Sequence, residues 1–242
     1  MATRIHLCGR LTAEVDGDRV EAELPGRQGR LLFGYLVLNR RRPVRRDELA
    51  AALWEDDPPA APDAALSALL SKLRRRFRIE GRSELGLELP ADAWIDVEAV
   101  GEALHRAEGA VGRSDWASAW GPARVAQHIA ARELLHGETA AWLAEHRRRL
   151  GEAYERALEL AAQACLELGG SELHTAERAA RTLVTVAPYR ESGYRWLMVT
   201  LERRGNRAEA LRVYDELRLR LRDDLGTAPS PATQELHRTL LG

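Results

Sequence analysis

The sequence is poor in cysteine and has no long apolar run, and each shortage excludes a class of protein. The 242-residue chain has two cysteines, Cys8 and Cys165, which are far apart and form no Cys-x-x-Cys pair. Neither a disulfide framework nor a zinc ribbon is therefore indicated. No run approaches the roughly 18 apolar residues of a membrane span. The segment from Met1 to Glu14 lacks the order of basic, apolar and small regions found in a secretory signal. We expect a cytoplasmic protein with no membrane partner.

Lysine is almost absent as well. Lys72 is the only lysine among 36 basic residues, so an arginine carries no functional meaning merely because it is arginine. The net charge is −1, but the charge is unevenly distributed: residues 26–82 contain 13 basic and 7 acidic side chains, a balance of +6, which leaves −7 for the remainder. The positive charge is therefore concentrated in one part of the chain.

Catalytic and metal-binding motifs are also missing. His128 and Glu133 are five residues apart and do not form a His-Glu-x-x-His arrangement. The sequence has no phosphate-binding loop and no Gly-x-Ser-x-Gly elbow. We expect no enzyme activity, no catalytic residue, no metal and no cofactor.

The sequence changes character near residue 95. Apolar–polar alternation before and after a turn at residues 16–18 predicts strands, the second of them carrying Val20, Ala22 and Leu24. Helical spacing predicts three helices over residues 27–39, 47–54 and 64–78, the last with Asp63 as its N-cap. Alternating leucines then predict a short hairpin that ends at Pro90. From Asp96 onward the pattern is helical, with breaks that include Gly121-Pro122.

The helical part contains a repeat. Ala176 and Ala210 are 34 residues apart, and so are Leu160 and Tyr194, which is the tetratricopeptide period. An unrelated helical bundle with a chance spacing is the alternative. We predict an α+β domain over residues 1–95 and an all-α domain of tetratricopeptide-like helical repeats over residues 96–242.

The third predicted helix has an apolar face and a basic face. Leu66, Leu70 and Leu73 follow helical spacing on one side, and serine, lysine and arginine occupy the other, with no acid between Ala64 and Ile79. The major groove of DNA admits a helix, and such side chains can donate hydrogen bonds to phosphates and base edges. A solvated helix face in an arginine-rich chain is the alternative.

These features together resemble a known family. The chain is similar to transcription factors of the streptomycete antibiotic regulatory protein (SARP) type, in which an OmpR-like winged helix-turn-helix precedes a bacterial transcriptional activation domain (BTAD). The stretches that carry the resemblance are residues 26–32, 44–54 and 64–75 in the first part and residues 179–183, 188–191, 205–214 and 216–238 in the second.

The resemblance implies a sequence-specific activator. Such a protein binds direct repeats in double-stranded promoter DNA as two protomers side by side, and recruits RNA polymerase. We expect DNA contacts from the third helix by Ser67, Ser71, Lys72, Arg74, Arg75 and Arg78. We expect the DNA backbone to be held by Arg27, Arg30, Arg45 and Arg46.

The wing departs from the family pattern. Where the family usually has Gly-Tyr-Arg-Leu, this chain has Gly86-Leu87-Glu88-Leu89. A carboxylate near phosphate is unfavourable, so either Arg82 at the hairpin tip makes the wing contact or the wing does not touch DNA.

Two other functions fit parts of the sequence. One is a ligand-sensing regulator whose helical repeats bind a nucleotide or another anionic effector, since guanidinium groups pair with anions and rings stack. The side chains that would form this site are Arg147, Arg148, Arg156, Arg190, Arg195 and Trp196. A solvated face with an aromatic core is the structural alternative for these residues. The other function is a protein-interaction scaffold whose winged helix no longer binds DNA.

Overall fold

The structure, a computed structural model, describes residues 3–55 and 57–242. It comprises two compact units: Met1–Ala99 with Ile129–Leu150, and Val100–His128 with Gly151–Gly242. The first unit thus includes a segment that lies well beyond residue 95 in the sequence. The division into a DNA-binding domain over residues 1–95 and an activation domain over residues 96–242 stays a prediction.

Two small sheets and three helices form most of the first unit. The strands are β1 (Arg4–His6), β2 (Thr12–Val15), β3 (Asp18–Arg19), β4 (Val44–Arg45), β5 (Arg78–Glu80), β6 (Glu84–Glu88) and β7 (Trp94–Ile95). The helices are α1 (Gly26–Leu38), α2 (Arg46–Trp54) and α3 (Pro62–Leu73). One sheet has the order β3-β2-β1-β7, with β1 antiparallel to β2 and parallel to β7. The other has the order β4-β6-β5 and contains the predicted hairpin.

A buried carboxylate joins the first sheet to the helix that follows it. Asp96 accepts hydrogen bonds from the backbone N–H groups of Leu7 (2.9 Å) and Cys8 (2.8 Å), and from that of Val97 (2.8 Å). Because a helix begins at Asp96, the carboxylate also lies where helix N–H groups have no partner of their own. It therefore fixes the end of β1 against the start of that helix.

The strand predicted through Val20, Ala22 and Leu24 is wrong. β3 ends at Arg19, and Glu21–Glu23 form a 3-10 turn. The carboxylate of Glu21 accepts a hydrogen bond from the backbone N–H of Ala13 at 3.4 Å, so a side chain occupies the position that the next ladder bond would need.

The third helix is shorter than predicted. It begins after Ala61, with Pro62 in its first turn, so Asp63 is not its N-cap. It ends at Leu73, and the prediction that it continues to Arg78 is wrong: Arg74 to Phe77 form a turn, and Arg78 belongs to β5. The turn is tightened by backbone hydrogen bonds from Arg75 to Lys72 and from Arg76 to Leu73.

The second unit is helical. The chain from Asp96 forms α4 (Asp96–Gly112), α5 (Trp116–Ala130), α6 (Ala141–Leu168), α7 (Leu173–Val186), α8 (Glu191–Arg203), α9 (Arg207–Leu225) and α10 (Pro231–Leu241). The residue boundaries of the two units fall within α4, α5 and α6. Within the second unit α8 packs against both α7 and α9 around a buried core that includes Leu183, Tyr194 and Leu201. Ala176 and Ala210 are fully buried, whereas the tetratricopeptide repeat itself stays a prediction.

The helix break predicted at Gly121-Pro122 is wrong, because Pro122 lies inside α5. Proline removes one backbone donor from a helix. Ala119, Ala123 and Ala126 are completely buried on one face of α5, so packing holds the helix through the proline. Among the described residues, no helix is both long and apolar enough to cross a bilayer.

Candidate nucleic-acid interface

Helix α3 has the two faces that its sequence predicts. Leu66, Leu70 and Leu73 are buried where the helix packs against α1 and α2. On the other side Ser67, Ser71 and Lys72 are exposed. Within residues 3–55 and 57–242 the ammonium group of Lys72 has no hydrogen bond or ion pair, so its charge is available to an external anion. This face is the centre of the candidate interface.

The three arginines of the turn after α3 have different environments. Arg74 donates hydrogen bonds to the carbonyl oxygens of Ile79 (3.1 Å) and Gly81 (2.9 Å), which holds the hairpin against the end of the helix. Arg76 forms an ion pair of 2.6 Å with Glu23. Arg75 is exposed and its side chain has no partner in the described part of the chain. Arg75 is therefore the member of the trio that can reach a ligand without breaking a contact.

Strands β5 and β6 form the wing, and Glu88, the residue that departs from the family pattern, is paired there. The register places Arg78 opposite Glu88, and the guanidinium lies 2.9 Å from the Glu88 carboxylate and 2.7 Å from that of Glu80. Arg78, which is predicted to contact DNA, and Glu88, which is predicted to be unfavourable near phosphate, are thus paired with each other, and Arg78 also pairs with Glu80.

The tip of the wing is shaped by a glycine. Gly81 has φ +89°, and a Cβ atom there would lie 1.8 Å from the carbonyl oxygen of Glu84, so the tight connection requires glycine. Arg82 follows in this loop, exposed and unpaired with any described residue. The structure therefore places Arg82 at the hairpin tip, as expected.

Arg45 and Arg46, at the start of α2, differ in their partners. Arg46 donates a hydrogen bond of 2.8 Å to the hydroxyl of Ser67 and one of 3.2 Å to the carbonyl oxygen of Asp63. It therefore ties the start of α2 to the exposed face of α3. Arg45 forms an ion pair of 2.7 Å with Asp47, and both side chains are exposed.

Arg27 and Arg30, on α1, contact the later segment of the same unit. The Arg30 guanidinium lies 2.6 Å from the carboxylate of Glu138, which is 8% exposed. Arg27 donates to the hydroxyl and carbonyl oxygens of Thr139. Sequence reasoning missed Glu138, and nothing local signals it, because it is 108 residues from Arg30.

The residues of the predicted anion site are divided between the units. Arg147 and Arg148 belong to the first unit, where Arg147 donates to the carbonyl oxygens of Leu134 and Glu138 and Arg148 pairs with Glu145. The remaining four, Arg156, Arg190, Arg195 and Trp196, belong to the second unit.

Those four side chains also have contacts within the protein. Arg156 and Arg190 both pair with Glu159, at 3.4 and 3.1 Å, and Arg195 donates to the hydroxyl of Thr233 at 3.1 Å. Trp196 packs against the apolar core. The proposed effector arginines thus have acceptors within the protein. In the described ranges no group of three or more histidine, cysteine, aspartate or glutamate side chains is placed to hold a metal ion.

A family model for the bacterial transcriptional activator domain matches residues 95–241. The chain belongs to this family. The family match covers more than half of the chain, and it includes α4 to α10.

Curated relatives of this bacterial transcriptional activator domain protein include two kinds of regulator. The regulatory protein AfsR of Streptomyces coelicolor is 32% identical over 248 residues, which cover 99% of this chain and 24% of AfsR. The transcriptional regulatory protein EmbR of Mycobacterium tuberculosis is 28% identical over 257 residues, which cover 97% of this chain and 62% of EmbR. The chain thus spans about a quarter of one relative and under two thirds of the other. The predicted SARP-type family is confirmed.

A solved structure supports the fold. The structure of Mycobacterium tuberculosis EmbR in complex with a low affinity phosphopeptide superimposes with a TM-score of 0.85 at 23% identity, over 99% of this chain and 65% of that one. This chain therefore has an EmbR-like fold, with a small mixed α+β part followed by a helical part.

Proposed function

We propose that this chain is a sequence-specific transcription regulator that binds double-stranded promoter DNA through the exposed face of α3. The observation that carries the proposal is a set of uncompensated cations on one structural motif: Lys72 on α3, Arg75 in the turn and Arg82 on the wing have no partner among the described residues. Guanidinium and ammonium groups bind phosphates and the edges of guanine. Ser71, exposed beside Lys72, adds a hydroxyl donor.

The other arginines have different roles in this proposal. Arg74 and Arg46 position the wing and α3 from within the protein, and Ser67 is the acceptor for Arg46. Four arginines must exchange a partner within the protein for a phosphate group when DNA binds: Arg45, Arg78, Arg27 and Arg30. For the exposed Arg45–Asp47 pair this exchange costs little free energy, since exposed ion pairs contribute only about 0–1 kcal/mol to stability.

The regulator is proposed to be an activator and not an enzyme. The name of the family and the names of the relatives support this reading. In it, two protomers bind direct repeats side by side and RNA polymerase is recruited to the promoter. The effector site predicted at Arg147, Arg148, Arg156, Arg190, Arg195 and Trp196 is a weaker alternative, because those arginines already have acceptors within the protein.

Selection from a random pool of DNA duplexes tests the proposal. The wild type is compared with Lys72→Ala/Arg75→Ala, and Arg218→Ala/Arg222→Ala serves as the control with the same loss of charge on exposed positions of α9. At about 150 mM salt, where non-specific binding is weak, we expect one repeated motif with the wild type and the control, and none with the α3 variant. Enrichment of the same motif by all three proteins would contradict the proposed interface.

A further inference from the structure

Most arginines of the second unit have an acceptor within the protein. The pairs include Arg181 with Glu209, Arg190 with Glu155, Arg203 with Glu167 and Arg218 with Asp215. Arg124 and Arg178 are exceptions: neither guanidinium makes a hydrogen bond or ion pair with the residues that the structure describes. These two side chains line the same cleft.

The cleft lies between α5 and α7 and has a volume of about 590 Å³. Trp120, Arg124 and Gln127 line it from α5 at spacings of four and three residues, which places them on one face of that helix. Thr175, Arg178 and Thr182 line it from α7 at spacings of three and four. Small-molecule pockets have volumes of roughly 300–1,000 Å³, so a metabolite fits this space.

The position of Arg124 is set before any ligand arrives. The Cζ atom of its guanidinium lies 4.3 Å from the centre of the Trp120 ring, a cation–π contact. Trp120 in turn packs against a buried cluster of Ala110, Ala119 and Ala164. This contact holds the guanidinium beside the ring, and its N–H groups have no acceptor among the described residues, so they can donate to an oxyanion.

We propose that this cleft binds a small organic molecule through a single phosphate or carboxylate group held between Arg124 and Arg178. Guanidinium groups donate paired hydrogen bonds to both kinds of oxyanion. The amide of Gln127 and the hydroxyl of Thr175 supply further polar contacts at the same walls.

One acidic residue limits what the ligand can be. Glu172 also lines the cleft, and it is the carboxylate among its lining residues. A second anionic group on the ligand would meet this carboxylate, so the ligand has one anionic end and a remainder that is neutral or cationic. Replacing Glu172 with glutamine is therefore expected to strengthen anion binding, whereas replacing either arginine is expected to weaken it.

The test is thermal unfolding of the full chain titrated with inorganic phosphate and, separately, with benzoate, at ionic strength held constant with KCl. A ligand that binds the folded state raises the melting temperature in a saturable way. We expect a saturable rise for the wild type and for Arg212→Gln, a control at an unpaired arginine that lines a different cleft. Arg178→Gln should weaken apparent binding about tenfold or more, since the loss of a hydrogen bond to a charged group lowers affinity by about that factor. Glu172→Gln should tighten apparent binding. A response to phosphate alone identifies a phosphate group, and a response to benzoate alone identifies a carboxylate.

Two results would overturn the proposal. One is the absence of a saturable response of the wild type to either anion. The other is an equal response of the wild type, Arg178→Gln and Arg212→Gln. Arg178 is exposed, so its variant keeps the fold and decides the question even if Arg124→Gln, which loses the cation–π contact with Trp120, unfolds.

Discussion

The Nη2 atom of Arg46 lies 2.8 Å from the hydroxyl oxygen of Ser67, so two side chains predicted to contact DNA contact each other. The bond joins the first residue of α2 to the exposed face of α3. Arg46 is 26% exposed and reaches the Asp63 carbonyl oxygen as well. We infer that it sets the position of α3 from within the protein.

Replacing Arg46 distinguishes positioning from phosphate contact. We expect Arg46→Ala to lower affinity for the selected duplex more than for random DNA, with the salt dependence of binding unchanged. If Arg46 instead neutralised a phosphate, the variant would bind all sequences more weakly, and the slope of log K against log salt would fall by about 1. Ser67→Ala, which removes only the acceptor, is the matched variant and should share the specificity loss in milder form.

The wing should bind DNA better without the carboxylate of Glu88. Glu88→Gln removes a negative charge from the wing, which also carries Arg82, and releases Arg78 from its 2.9 Å ion pair with Glu88. We expect affinity for duplex DNA to rise several-fold and the salt dependence to become steeper, because one more phosphate is neutralised. Glu80→Gln breaks the other pair of Arg78 and is the control. Equal affinities for wild type and Glu88→Gln would show that the wing stays away from DNA.

Glu48 should make stability depend on acid pH. The Arg42 guanidinium hydrogen-bonds this carboxylate, and the Tyr35 hydroxyl donates to it at 2.6 Å, which lowers the pKa of Glu48 to about 2. Because the pKa in the folded state is below the ordinary value of 4.5, the contribution is present above that value and is lost as the pH falls toward 2.

Urea unfolding across this acidic range measures the Glu48 effect. Allowing for partial exposure, we expect Glu48→Gln to lower the free energy of unfolding at neutral pH by roughly 1–2 kcal/mol. Below about pH 4.5 the free energy of unfolding should fall less in the variant than in the wild type. A variant whose stability falls as steeply as that of the wild type would show that other carboxylates cause the decline.

Glu138 should matter for stability through Arg30. Glu138→Ala leaves the Arg30 guanidinium without its 2.6 Å partner, and we expect a loss of about 1–3 kcal/mol in the free energy of unfolding. A double-mutant cycle with Arg30→Ala should show coupling between the two residues. Additive losses, together with a large loss of DNA affinity in Arg30→Ala alone, would instead make Arg30 a DNA-backbone contact.

Local sequence patterns predicted the helices and strands whose positions are determined by their own side chains. The spacing of Leu66, Leu70 and Leu73 identified α3 and its buried face, and alternation at Leu85 and Leu87 identified the hairpin. The same patterns could not predict where α3 ends, because arginines continue a helix well. The pairing of Ile79 with Leu87 in the β5–β6 ladder decides that end.

Long-range partners account for the rest of what the sequence could not show. Positive charge near α3 was visible from composition, but its availability depends on acceptors elsewhere in the chain, such as Glu23 for Arg76 and Glu138 for Arg30. These pairs form only when the chain folds, so arginines that look alike in sequence differ in what they can bind.

The role of α3 is tested most directly by equilibrium binding of the selected duplex over a range of salt concentrations. The proteins compared are the wild type, Lys72→Ala/Arg75→Ala and the control Arg218→Ala/Arg222→Ala. We expect the α3 variant to bind at least about tenfold more weakly, with a slope of log K against log salt that is shallower by about 1–2. The control should match the wild type. Unchanged affinity and slope in the α3 variant would contradict DNA binding through this face.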